Sequence, residues 1–117
     1  MKKNNYGEFV RIFGVSPRNI ILEFLLELRD LDFSIGDIAK ETGLNRATTY
    51  NVMETLIKEI YVIPTRKVSG SQLYKLNTKK EEVQKLIKIF VLVLDKITNK
   101  YENKKQIEVP ETFLKIN

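Results

Sequence analysis

Arg46, Ala47, Tyr50 and Asn51 are spaced so that any helix carrying them gathers them on one face, with Asn45 at its start. Their chemistry is recognition, not bond breaking. An Arg guanidinium matches O6 and N7 of guanine bidentately, an Asn carboxamide matches N6 and N7 of adenine, and an Ala methyl can meet the methyl of thymine. Tyr50 can stack or bond to a phosphate. Glu54 continues the face and, being acidic, is its weakest member; the plain alternative for the whole set is a solvated helix face. A second cluster, Arg66, Lys67 and Lys75 around Gly70, suits phosphate or minor-groove contacts, with the glycine letting the chain bend close to a backbone. Its plain alternative is edge-strand protection. Ser34 and Thr48 can each donate to a phosphate at a helix start or serve as a cap.

Other chemistry is largely excluded by composition. The 117 residues include no Cys, His or Trp, which removes thiol and imidazole catalysis, disulfides and every Cys/His zinc arrangement. No Walker-type glycine loop and no carboxylate pair in an apolar setting is present, so neither an enzyme nor a bound cofactor or metal is expected. Hydrophobic residues at 43% and charged residues at 30% suit a soluble globular domain. No apolar run is long enough to span a membrane, and MKKNNYGEF lacks the marks of a secretory signal, so a cytoplasmic location is expected.

The net charge of +5 is unevenly spread. Ile60 to Lys80 holds five basic residues and no acid, whereas Arg18 to Glu41 holds six acids against three bases. A basic face and an acidic face are therefore expected, the basic one suited to a polyanion.

The elements that must position these residues can be read from caps and periodicity. Ser16-Pro17 starts a helix over 16–30 with Ile20, Ile21, Phe24, Leu25 and Leu28 at helical spacing, and Leu22 and Leu26 widen its apolar surface toward a helical segment at Tyr6 to Phe13. Ser34 with Asp37 opens a short helix that ends at Gly43, and Asn45 caps another from Arg46 to about Glu59, with Thr49, Val52, Met53, Leu56 and Ile57 inward. Two short helices around Thr42-Gly43-Leu44-Asn45 make a helix-turn-helix. Ala39 is small where they cross, Gly43 can take positive φ, and Leu44 plugs the gap. Tyr61 to Arg66 and Gln72 to Leu76 then read as a hairpin turning at Val68 to Ser71.

Ile35 to Tyr50, this hairpin and Leu73-Tyr74-Lys75-Leu76 together resemble the winged helix-turn-helix DNA-binding proteins over about residues 16–78. The resemblance departs at Glu59-Ile60, where such proteins often carry Lys-Gly before the first strand. It implies a mainly α fold with a small β-hairpin, a recognition helix for the major groove and a wing for backbone or minor groove. Within that group the chain is similar to dimeric repressors of the MarR and ArsR type. It is at least as similar to TubR, which implies a centromere-binding adaptor in plasmid or phage DNA segregation with a tubulin-like GTPase as partner.

Thr78 is expected to cap a last helix running to about Tyr101, about 33 Å long. Val83, Ile87, Phe90, Leu94, Ile97 and Tyr101 alternate spacings of four and three, a heptad seam expected to form a homodimer interface. Leu86, Ile89, Val91, Leu92 and Val93 add a second apolar surface, more than a small subunit can cover on both sides. The expected organisation is a domain over 1–101, including this dimerisation helix, and a charged tail over 102–117 that docks on a partner or folds back. The expected function is sequence-specific binding of double-stranded DNA, either in segregation or in transcriptional repression. The rival from another class is a winged helix that docks proteins through the same face, which would bind DNA little at any salt concentration.

Overall fold

The computed structural model describes residues 6–102, with only the helical backbone described over 95–102. Five helices and one hairpin follow in the order α1 (Glu8–Phe13), α2 (Pro17–Glu27), α3 (Ile35–Thr42), α4 (Arg46–Lys58), β1 (Val62–Val68), β2 (Ser71–Leu76) and α5 (Glu81–Glu102). Ser16 caps α2 as expected, its Oγ accepting the Asn19 N–H at 3.1 Å, with Pro17 in the first turn. The helix stops at Glu27, three residues short of expectation. Leu28 leaves helical angles, the Leu31 N–H donates to the Leu28 carbonyl, and Arg29 Nη1 donates to the Leu26 carbonyl at 2.8 Å.

The expected helix at the N-terminal side is α1, and its cap comes from a distance. Glu23 is buried in α2, and its Oε2 and Oε1 accept the N–H groups of Gly7 at 2.7 Å and Val10 at 2.9 Å. A carboxylate at a helix start satisfies free N–H groups and faces the positive end of the dipole. A Cβ on Gly7 would stand 3.0 Å from the carboxylate atoms, so a larger residue would push the bonded carboxylate aside by a few tenths of an ångström.

Ile21, Leu25 and Leu26 of α2 pack against Phe9 and Val10 of α1, Ile38 of α3, Met53 and Leu56 of α4, Val62 and Leu76 of the hairpin, and Val83 and Phe90 of α5. The inward set expected for α4 is found: Thr49, Met53 and Leu56 are fully buried, and Val52 and Ile57 are partly so. Thr49 gives its hydroxyl proton to the Asn45 carbonyl at 2.8 Å, so it is buried without an unmet donor.

The strands pair antiparallel from Val62 opposite Leu76 to Val68 opposite Ser71, with a register break between Pro64 and Lys67. Ser69 and Gly70, with φ of 51° and 81°, form the two-residue turn, whose two positive φ values match the twist of the hairpin. A third, one-residue strand was not expected from the sequence. Phe33 exchanges both backbone hydrogen bonds with Tyr74 at 2.8 Å, on the side of β2 away from β1. Since Tyr74 spends its N–H and C=O there, Pro64 opposite it is asked for no N–H.

Two expectations for α5 are corrected. The helix begins at Glu81 and Thr78 is not its cap: residues 77–80 form a turn in which Asn77 Oδ1 accepts the Lys79 N–H, and the Thr78 carbonyl accepts from Gln84 Nε2. Val83 and Phe90, both assigned to an intersubunit seam, are 0% and 3% exposed within the subunit, where Phe90 meets the Phe9 ring at 6.4 Å. Half of the heptad pattern therefore records packing of the chain on itself. Ile87 is partly buried against the same core and Leu94 is exposed, while the side chains of Ile97 and Tyr101 and all of 103–117, the tail included, lie outside the described residues.

The departure at Glu59-Ile60 resolves simply. Ile60 takes φ of 62°, the place glycine usually holds, and a Schellman pair closes α4: Ile60 N–H to the Ile57 carbonyl at 3.0 Å and Tyr61 N–H to the Leu56 carbonyl at 2.9 Å. A β-branched residue in this region is strained by roughly 1–2 kcal/mol, and Ile60 is 53% exposed, so its side chain returns little. Ile60→Gly is expected to stabilise the protein by about 1 kcal/mol, the relief of strain exceeding the added backbone entropy of the unfolded chain. Urea denaturation checks this, the midpoint rising at unchanged slope.

Candidate nucleic-acid interface

Burial of Thr49, Met53 and Leu56 leaves Asn45, Arg46, Ala47, Tyr50, Asn51 and Glu54 exposed along the opposite side of α4. The turn that orients this helix follows from local chemistry. Ser34 Oγ accepts the Asp37 N–H at 3.0 Å at the start of α3, Gly43 ends that helix at φ of 79°, and Asn45 Oδ1 accepts the Thr48 N–H at 2.7 Å at the start of α4. Ala39 is buried where α3 and α4 pack. The Asn45 acceptor is thus engaged as a cap and only its amide donors are left to reach outward. Ser34 and Thr48 are half-buried beside their helix starts.

A polar groove of about 570 Å³ opens between the α3 start, the first turns of α4 and the wing tip. It brings together Ser34, Arg46, Tyr50 and Gly70 of the expected residues, and adds Gly36, Lys40 and Gln72, which the sequence reading did not single out. Arg46 lies back across this groove. Its guanidinium sits 6.0 Å from the Tyr50 ring centre, and Nη1 is 3.2 Å from where a Cβ on residue 36 would stand, so Gly36 makes room for it. A small residue ten positions upstream gives no local signal of that role. Ala47, Thr48, Asn51, Lys67 and Lys75 do not line the groove. Lys67 is exposed opposite Gln72, and Lys75 is half-buried opposite Ile63.

Arg66 is placed differently from its neighbours. Its Nε and Nη2 donate to Asp32 Oδ2 at 2.9 Å and Oδ1 at 3.1 Å, and Thr65 Oγ1 donates to Oδ2 at 2.6 Å. The basic stretch from Ile60 to Lys80 therefore has an acid beside it after all, supplied from the turn before α3. With Glu23 engaged on α1 as well, two of the six acids expected on an acidic face are committed to partners elsewhere in the fold.

The hydrogen bonds from Arg66, followed by that from Thr65, lower the Asp32 carboxyl to about 2. A folded value below the unfolded one of about 3.9 means that the contact stabilises fully above that value and is lost as pH falls through about 2. In acid denaturation, Asp32→Asn is expected to flatten the fall in stability between about pH 4 and pH 2 relative to the unaltered chain. Thermal melts over that range, followed by circular dichroism, check it.

The helix-turn-helix domain of the IclR family matches residues 21–63, from α2 into β1. No curated protein is similar to the chain. Among solved structures, the chain is similar to the adhesin competence repressor AdcR of Streptococcus pyogenes, at 18% identity and a TM-score of 0.56 over 84% of this chain and 72% of that one. MepR, a transcription regulator of the Staphylococcus aureus multidrug efflux pump MepA, aligns at 16% identity and a TM-score of 0.58 over 88% and 71% of the two chains. The homodimeric winged helix-turn-helix DNA-binding domain Mb0332 of Mycobacterium bovis aligns at 20% identity and a TM-score of 0.50 over 80% and 77%. With α3 and α4 as the helix-turn-helix and β1 and β2 as the wing, the chain has the winged helix-turn-helix fold.

Proposed function

We propose that the protein is a homodimeric, sequence-specific binder of double-stranded DNA that acts as a transcription regulator. The observation that carries this reading is the exposed face of α4 formed by Arg46, Ala47, Tyr50 and Asn51, with Arg46 and Tyr50 sharing a polar groove with the wing tip at Gly70 and Gln72. Helix α4 enters the major groove, where Arg46 swings from Tyr50 to a guanine edge and Asn51 reads an adenine. Lys67, Lys75 and the Gly70 turn lie on the flanking backbone or minor groove. Ser34, Thr48 and the Asn45 amide meet phosphates near the two helix starts. The described functions of AdcR and MepR support regulation over segregation. A centromere-binding adaptor with a tubulin-like GTPase partner would use the same face, and is distinguished by preference for arrays of short repeats over a single site.

Two recognition helices reach successive major grooves when held about 34 Å apart by a dimer. The surface we assign to the second copy combines exposed residues of two helices already in contact and of the link after the first: Ile12 and Phe13 of α1, Val15 beyond it, and Ile89, Leu92 and Leu94 on α5. Six large apolar side chains on adjoining elements exceed the scattered exposure usual for a monomer. Mb0332, with the same fold, is a homodimer. Leu94 keeps its place from the expected seam, and the side of α5 turned from the core takes over from Val83 and Phe90.

The test of the DNA reading begins with a duplex selected from a randomised pool by binding. Arg46→Ala is expected to cost about 1–3 kcal/mol on that duplex and clearly less on random sequence, measured by fluorescence anisotropy. An equal loss on both makes Arg46 a phosphate contact; no loss on either removes α4 from the interface.

The dimer has its own test. Leu92 is 62% exposed, so Leu92→Glu leaves the subunit core intact while placing a charge in the proposed interface. Sedimentation is expected to show a dimer for the unaltered chain and a monomer with unchanged circular dichroism for the variant.

A further inference from the structure

We infer that Asp32 is a built-in competitor for DNA phosphate, holding Arg66 in the free protein and lowering its affinity for DNA until a matching site draws Arg66 away. The inference rests on the DNA-binding reading above. Asp32 grips the Nε and Nη2 edge of the guanidinium with two oxygens, the same edge and the same bidentate geometry with which an Arg meets a phosphate. The two partners are unequally held. Asp32 is 16% exposed, bonded by Thr65 and next to Phe33, whose backbone is paired to Tyr74, whereas Arg66 is 65% exposed on the wing surface. Asp32 is therefore the fixed member and Arg66 the one free to change partners.

The exchange has a direction. On DNA that offers α4 no matching base edges, the duplex is not held in register and Arg66 stays on its carboxylate, leaving the wing one cation short. At a matching site the contacts of α4 fix the backbone beside the wing, and a phosphate replaces Asp32. Removing the carboxylate charge then strengthens binding to the true site, which no longer has to break the pair, more than binding to random DNA, where the phosphate contact is worth less than the pair. A residue that served the wing only as a structural tie would have the opposite effect on removal, loosening the wing and weakening binding.

The experiment compares the unaltered chain with Asp32→Asn, Asp32→Ser, Asp30→Asn and the double variant Asp32→Asn/Arg66→Ala, on selected and random duplexes over a range of KCl. Circular dichroism verifies folding. Asp30 is an exposed acid two residues away and controls for net charge. Both Asp32 variants are expected to bind the selected duplex roughly threefold to fivefold more tightly, and random duplex by a smaller factor with a salt slope steeper by about one ion. Asp30→Asn is expected to gain less on the selected duplex, and the double variant to lose the gain. Folded Asp32 variants that bind the selected duplex no more tightly overturn the inference, as does a gain that is larger on random duplex, persists without Arg66 or is equalled by Asp30→Asn. If the unaltered chain binds neither duplex, the DNA-binding reading itself fails and the inference goes with it.

Discussion

The two backbone hydrogen bonds between Phe33 and Tyr74 are the constraint on which the arrangement of the site depends. A two-stranded hairpin is marginal by itself, and its tip would be free to sweep over a wide arc. Pairing with Phe33 fastens β2 to the residue immediately before the Ser34 cap, so the wing is fixed to the start of α3 at one end of the motif while α4 runs directly into β1 at the other. The Phe33 ring, 4.9 Å from that of Phe24, ties the same residue to α2. Held at both ends, the wing tip stands beside the first turns of α4 and closes the groove that holds Arg46 and Tyr50. The Asp32 to Arg66 pair lies next to this junction and adds a side-chain tie to the backbone one.

What the sequence made legible was what is decided over three or four residues. Ser16, Ser34 and Asn45 each cap the N–H three residues on, Gly43 ends α3 at positive φ, and the period of Thr49, Met53 and Leu56 fixes which side of α4 faces out. Those local rules sufficed for the helix-turn-helix, the hairpin and the exposed side of α4. Partnerships across the chain were not legible. Glu23 and Gly7 are 16 residues apart and Asp32 and Arg66 are 34 apart, so a count of charges along the sequence treats both acids as surface when the fold has assigned each to a partner. Ile60 at positive φ is the opposite case: the residue type argues against the conformation, and closure of α4 imposes it.

Helix α5 illustrates why an apolar pattern does not name its partner. Val83, Ile87 and Phe90 recur at a spacing that serves equally well for another copy of the chain or for the chain's own α1 and α2, since burial depends only on the removal of water. The fold uses this stripe internally as far as Phe90, Leu94 of the same stripe is exposed, and because α5 is apolar well beyond a single stripe, Ile89 and Leu92 are left on its outer side. One helix thus anchors the domain and, in the dimer proposed above, carries part of the surface that meets the second copy.

The central claim is that α4 and the wing form one DNA-contacting face. It is tested most directly by following the backbone amides of the ¹⁵N-labelled chain as a selected duplex is added. The largest shifts are expected on Gly36, on Arg46 to Asn51 and on Lys67 to Gln72, with α1 and the core of α2 little changed. Shifts concentrated on α1 and α5, or none on α4 and the wing at saturating duplex, would contradict it.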